Sequence, residues 1–141
     1  MKKELLPFII TAVFLFTNCK KDNSSSSDIL ISKSWKRALI DKNPSTNPSN
    51  NVVYYAVQNC EKDDTFKFNS DGKLLLNRNT NKCDQSETQN ITQSYTINKE
   101  KKELVIDGTI YILAEETSSQ IKYYSVMPSA TGFQYQIFLL Q

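Results

Sequence analysis

The stretch Phe66-Lys67-Phe68-Asn69-Ser70-Asp71-Gly72-Lys73-Leu74-Leu75-Leu76 admits few folded forms. Apolar residues alternate with polar ones up to a Ser-Asp-Gly turn signal, and a second apolar run follows, which is the pattern of a β-hairpin. A two-residue Asp71-Gly72 loop would set Phe68 opposite Leu75 and Phe66 opposite Asn77. A three-residue Ser70-Asp71-Gly72 loop sets Phe68 opposite Leu74 and Phe66 opposite Leu76. Only the second register gathers Phe66, Phe68, Leu74 and Leu76 on one face, and a one-residue slip would turn one strand's apolar set to solvent. That loop is a type I turn followed by a bulge, with Gly72 in the left-handed region.

The register reaches further along the chain. Paired residue numbers sum to 142 in it, and Cys60 and Cys83 sum to 143, so extending the hairpin outward sets the two cysteines nearly opposite. Opposed residues of an antiparallel pair lie within the Cα separation that a disulfide spans. A Cys60–Cys83 bridge is therefore expected, clamping the open end of the hairpin. A metal-binding or reactive pair is the weaker alternative, because no C-x-x-C spacing and no histidine accompany it.

From Ile29 onward the chain keeps a period of two and shows no helical stripe. Candidate strands cover 31–40, 52–58, 64–69, 73–79, 92–98, 103–107, 109–114, 120–127 and 132–140, rich in Tyr, Phe, Ile, Val and Thr. Gly72, Gly108 and Gly132 fall at the breaks. Residues 41–51, with their Pro, Asn and Ser, read as a long loop, and 80–91 as a second polar connection. The expectation is one all-β domain, an up-and-down antiparallel barrel or a sandwich.

The third cysteine, Cys19, has no partner within the chain. It closes a segment built like a secretory signal. Lys2 and Lys3 precede a short apolar run, Leu5 to Phe16, which falls below the roughly twenty residues of a bilayer span. The sequence Leu15-Phe16-Thr17-Asn18-Cys19 resembles the lipobox of bacterial lipoproteins, in which the signal is cut before an acylated cysteine. The resemblance implies a signal peptide over 1–18 and lipid attachment at Cys19. Residues 19–29, Lys- and Ser-rich at first, then read as a lipidated flexible tether, with the folded domain over 30–141. Lys20 stands where some inner-membrane lipoproteins carry Asp, which points toward the outer membrane of a Gram-negative envelope. Removing residues 1–18 takes two Lys and one Glu from 17 basic and 15 acidic residues, leaving a formal net charge of +1. Electrostatic attraction to an anionic surface would be weak, so lipid would hold the protein there.

The order of features resembles the lipocalin-like domains of bacterial envelope lipoproteins. It is carried by Ile31-Ser32-Lys33-Ser34-Trp35-Lys36, by Cys60-Glu61-Lys62-Asp63-Asp64-Thr65-Phe66-Lys67-Phe68 running into Ser70-Asp71-Gly72, and by Ser94-Tyr95-Thr96-Ile97. Lys33 stands where lipocalins usually have glycine, and Phe133 to Gln141 lacks the arginine that often caps the tryptophan. The resemblance implies a lipocalin-like antiparallel barrel of about eight strands holding a small apolar molecule. Its inward candidates are Trp35, Phe66, Phe68, Leu74, Leu76, Tyr95, Ile97, Tyr135 and Ile137. An eight-stranded barrel is wide enough either to be filled by such side chains or to hold one small ligand. A filled barrel would make the protein a structural or interaction lipoprotein, meeting protein or glycan through loops 41–51 and 80–91.

Enzymatic chemistry finds little footing. The chain has no histidine, which removes His-based triads and imidazole bases. Asp63-Asp64 and Glu115-Glu116 are adjacent pairs, so each pair splits across a strand's two faces and reads as solvated strand ends. Tyr54-Tyr55 and Tyr123-Tyr124 should each place one ring in and one out. Asp63, Asp64 and Asp71 lack the spacing of a calcium loop, no basic stripe suits nucleic acid, and no cofactor motif appears.

Overall fold

The computed structural model describes residues 27–141. The expected signal peptide, Cys19 and the first part of the tether lie outside the described residues.

A short helix, α1 (Ser27–Ile31), precedes nine strands. These are β1 (Trp35–Lys36), β2 (Val52–Tyr54), β3 (Thr65–Phe68), β4 (Lys73–Asn77), β5 (Asn90–Asn98), β6 (Glu103–Ile106), β7 (Thr109–Glu116), β8 (Ile121–Val126) and β9 (Tyr135–Leu140). Each of the nine expected stretches overlaps one, β5 beginning two residues earlier and β7 ending two residues later than expected. Helix α1 was not expected and takes the end of the expected tether. It forms because Leu30 is buried and Ile29 and Ile31 pack beside it on the core, and the Ser32 hydroxyl caps it by donating to the Ile29 carbonyl at 2.7 Å.

The strands make one mixed sheet in the order β1-β3-β4-β5-β6-β7-β8-β9-β2, curled into a half-barrel. Neighbours from β3 to β9 are antiparallel, whereas β2 runs parallel to β9 with Val52 opposite Tyr135 and Tyr54 opposite Ile137. The expectation of an all-antiparallel barrel is corrected on this point. The cause is the 41–51 loop, which leaves near Gln120 and Gln141, passes the outer face of β8, and arrives at the start of β9, where Gln134 N–H donates to the Asn51 carbonyl at 2.8 Å. The segment 35–38 links the two ends of the curl. Trp35 and Lys36 pair with Phe66 and Thr65 of β3. Lys36 exchanges two backbone bonds with Gln141, and Ala38 N–H donates to the Leu139 carbonyl at 3.0 Å.

The hairpin register is the one that burial selects: Phe66 faces Leu76 and Phe68 faces Leu74. Gly72 has φ +78°, and its N–H donates to the Asn69 carbonyl. Cys60 and Cys83 are joined, with Cα atoms 5.1 Å apart. The concave face holds the core, including Trp35, Phe68, Leu74, Leu104, Leu113, Ile121, Tyr123 and Leu140. Phe68 meets Tyr95 edge-on at 4.9 Å, and Tyr123 stacks on Phe138 at 5.2 Å. Helix α1 closes one end, where the Trp35 indole N–H donates to the Leu30 carbonyl at 2.8 Å. Lys33, in place of the usual glycine, sets its ammonium 4.3 Å from the Trp35 ring centroid and bonds the Ser118 carbonyl. A cation thus faces the tryptophan from the bend just before its own strand rather than from the last one.

Candidate functional site

At the end opposite α1, the concave face becomes polar. A cavity of about 80 Å³ opens beside the disulfide, lined by Arg37, Asp64, Arg78, Glu61 and Glu87 over a floor of Phe66 and Leu76. Parity explains the placing. Arg37 lies two residues after inward Trp35, and Asp64 two residues before inward Phe66, so both turn inward with the core residues.

Arg37 is held by aromatic rings. Its guanidinium carbon lies 4.6 Å from the Phe66 centroid, 4.9 Å from Tyr55 and 5.5 Å from Phe138. Its Nη1 donates to the Tyr123 hydroxyl at 3.0 Å, and its buried Nε has no partner. Tyr55 stacks on Phe138 and donates its hydroxyl to Glu61 at 2.6 Å; burial and that carboxylate push its pKa up to about 12. Glu61 also accepts from the Gln58 N–H, and Arg78 pairs with Glu87 at 3.0 Å.

Asp64 is 6% exposed, and its Oδ1 is buried without a partner. Burial pushes its carboxyl up to about 6, helped by the charges of Asp63 and Glu61 and opposed by those of Arg78 and Arg37. The expectation that Asp63-Asp64 and Glu115-Glu116 are solvated strand ends is corrected here. The Asp63 carboxylate accepts from the Thr80 and Asn81 backbone amides, which ties the 80–89 connection to β3. The side chains of Glu115 and Glu116 are each 8% exposed, Glu116 bonding Lys99 at 2.6 Å. The bulge between Leu113 and Glu115 turns the end of β7 to make both contacts.

The convex face holds a second polar centre. Lys122 is fully buried beneath the 41–51 loop. Its ammonium meets Asp41 Oδ2 at 2.8 Å, the Asn43 carbonyl at 2.6 Å, and Thr46 Oγ1 and Asn47 Oδ1 at 2.8 Å each, with Glu115 at 4.0 Å. Burial raises the Asp41 carboxyl, but bonds from Lys122, the Asn43 amide, Gln120 and Tyr54 more than reverse this and hold it at about 2. The polar loop is thereby pinned over an otherwise apolar sheet face.

Seven of the nine candidates expected inward share the concave core: Trp35, Phe66, Phe68, Leu74 and Tyr95 are buried, and Leu76 and Ile97 pack against them. They chiefly contact one another. Phe66 and Leu76 also floor the polar cavity, and Tyr95 and Ile97 border an apolar groove of about 280 Å³ beside Leu30. Tyr135 and Ile137 do not join the core cluster. In β9, Phe138 and Leu140 pair with inward Tyr123 and Ile121, so alternation sends Tyr135 and Ile137 to the convex side. Ile137 is buried there, and Tyr135 packs edge-on against Tyr124. The Tyr54-Tyr55 and Tyr123-Tyr124 pairs divide between the faces as expected.

Sequence reasoning passed over Arg37, read Asp64 as a solvated strand end, and passed over Lys122. The two-residue offsets from Trp35 and Phe66 would have found the first two; nothing local marks Lys122. Among the described residues no cluster of His, Cys, Asp or Glu could hold a metal ion, and no helix is long and apolar enough to cross a membrane. No protein family, curated protein or solved structure matches the chain.

Proposed function

We propose that this is a lipid-anchored protein of a Gram-negative envelope, tethered through Cys19, whose lipocalin-like domain binds a small ligand at the end away from the tether. One observation carries the binding role. Arg37 and Asp64 line one cavity, and neither has an ion-pair partner among the described residues. Charges taken from water are ordinarily paired, so two of opposite sign left without ion pairs at one cavity speak for a partner that meets both. The lipocalin-like reading draws support from the up-and-down order β3 to β9, from the helix under Trp35, and from segment 35–38 joining the ends of the curl. The apolar ligand that such a resemblance implies has less room, because its expected contacts pack on one another.

A second reading keeps the anchor and makes the domain an interaction module. Val126 and Phe133 are exposed around a groove of about 310 Å³ at the same end, a surface on which a protein or glycan could rest.

Two measurements test the proposal. Cys19→Ser should move the protein from the membrane to the soluble fraction, and continued attachment would sink the anchor. Native mass spectrometry of protein from its source cell should show a small molecule retained, lost in Asp64→Asn. A bare mass with an unaltered variant would favour the interaction module.

A further inference from the structure

The open-end cavity carries enough chemistry to define the class of its ligand. Among the described residues no carboxylate lies within ion-pair distance of Arg37 and no cation within that distance of Asp64. The other charges around the cavity are engaged: Arg78 with Glu87, and Glu61 with Tyr55 and the Gln58 amide. What remains open is the Arg37 guanidinium, with one bond to Tyr123, and the Asp64 carboxylate. A molecule with only an acceptor would leave the Asp64 carboxylate bare, and one with only a donor would leave the Arg37 guanidinium without an anion. The available space is small. At 10–15 Å³ per water-sized unit, 80 Å³ takes roughly five to eight heavy atoms.

We propose that this cavity binds a small zwitterion of the amino-acid class, its carboxylate on the Arg37 guanidinium and its ammonium on the Asp64 carboxylate. The inference rests on the reading of the domain as a binding module and adds the chemistry of the ligand. Glycine, alanine and serine fit the space, and leucine exceeds it. The groups facing Asp64 are Asp63, Glu61, Arg78 and Arg37, and their sum with burial leaves its carboxyl half-protonated near pH 6. An ammonium needs the carboxylate form, so affinity rises as pH passes upward through about 6.

The test is calorimetric titration of the full chain in detergent with glycine, alanine and serine. Acetate, ethylamine, leucine and glycine betaine, which has the charges but no N–H, serve as comparisons. Saturable binding is expected for the three small amino acids and none for acetate, ethylamine or leucine. Betaine, Asp64→Asn and Arg37→Gln should each weaken binding by about tenfold or more, the size of a lost charge-assisted bond. Asp64→Asn should melt no lower than the parent, so its lost binding is not unfolding. Equal affinity in parent and Asp64→Asn, or no binding of any of the three, overturns the proposal. If native mass spectrometry then shows another retained molecule, the ligand class alone has failed. If it shows none, the binding module has failed with it.

Discussion

Replacing Lys122 by Met removes the charge and keeps the length of the side chain. The Asp41 and Glu115 carboxylates then stay beneath the 41–51 loop without their shared cation. Removing one partner of a buried ion pair costs about 3–5 kcal/mol. The low end applies, because Asp41 keeps bonds from the Asn43 amide, Gln120 and Tyr54, and Glu115 keeps those from Gln120 and Thr46. A loss of about 3 kcal/mol lowers Tm by about 12 °C for a domain of this size. Urea unfolding monitored by tyrosine and tryptophan emission would read the loss as a lower midpoint at nearly constant slope. Hydrogen exchange should rise first at the amides of Asn43, Thr46 and Asn47. Adding Asp41→Asn to Lys122→Met should recover part of the loss, since the second change removes one stranded charge. A Lys122→Met protein within about 0.5 kcal/mol of the parent, or a double variant no better than the single, would refute the account of the loop as pinned by charge.

The remaining expectations are narrower. Asp64 binds its proton more tightly folded, at about 6, than at the ordinary value of 3.8. Its penalty is therefore absent below pH 3.8, grows as pH rises and is complete above 6. At 1.36 kcal/mol per unit, Asp64→Asn should stabilise the protein by up to about 3 kcal/mol at pH 8 and by nothing at pH 3, read from paired melts. Asp41 has the opposite sign: its folded value of about 2 gives stability present above 3.8 and lost as pH falls through 2. Cys60→Ser with Cys83→Ser should cost about 3 kcal/mol in urea, and a reductant should bring the parent to the same midpoint. Gly72→Val should cost about 1–3 kcal/mol, because φ is +78° and a Cβ would stand 3.3 Å from the Tyr95 carbonyl. Gly132→Ala, at φ +75° with open space around it, should cost less in the same assay.

The hairpin and its disulfide were legible because turn geometry and parity act over a few residues and leave one solution. Once Ser70-Asp71-Gly72 sets the loop, Phe66, Leu76 and the cysteines follow by counting. The facing of β9 was not legible. Tyr135, Ile137 and Leu139 are as apolar as Phe138 and Leu140, and such a strand shows no side until one knows what covers it. Its cover, the 41–51 loop, is rich in Asn, Ser and Pro and looks solvated. It is held down by its bonds to buried Lys122, a residue seventy-odd positions away, and no local pattern carries that. Helix α1 escaped notice because five residues are too few to show a helical period. Arg37 and Asp64 were hidden by the expectation that charges face water.

The edge of β9 turned away from β8 is shared between two separate parts of the N-terminal third. β2 takes residues 135–137, and the segment 36–38 takes 139–141. Neither Trp35's strand nor β2 can therefore find its full set of partners until residues 135–141 have been made. Chain order and folding order run opposite at this seam: what is synthesised first is finished last. Long-range pairing of this kind is slow, and until it completes the early strands carry unsatisfied edges open to pairing with another chain. The interval between the synthesis of residue 38 and that of residue 141 is thus the period in which this protein most needs a chaperone.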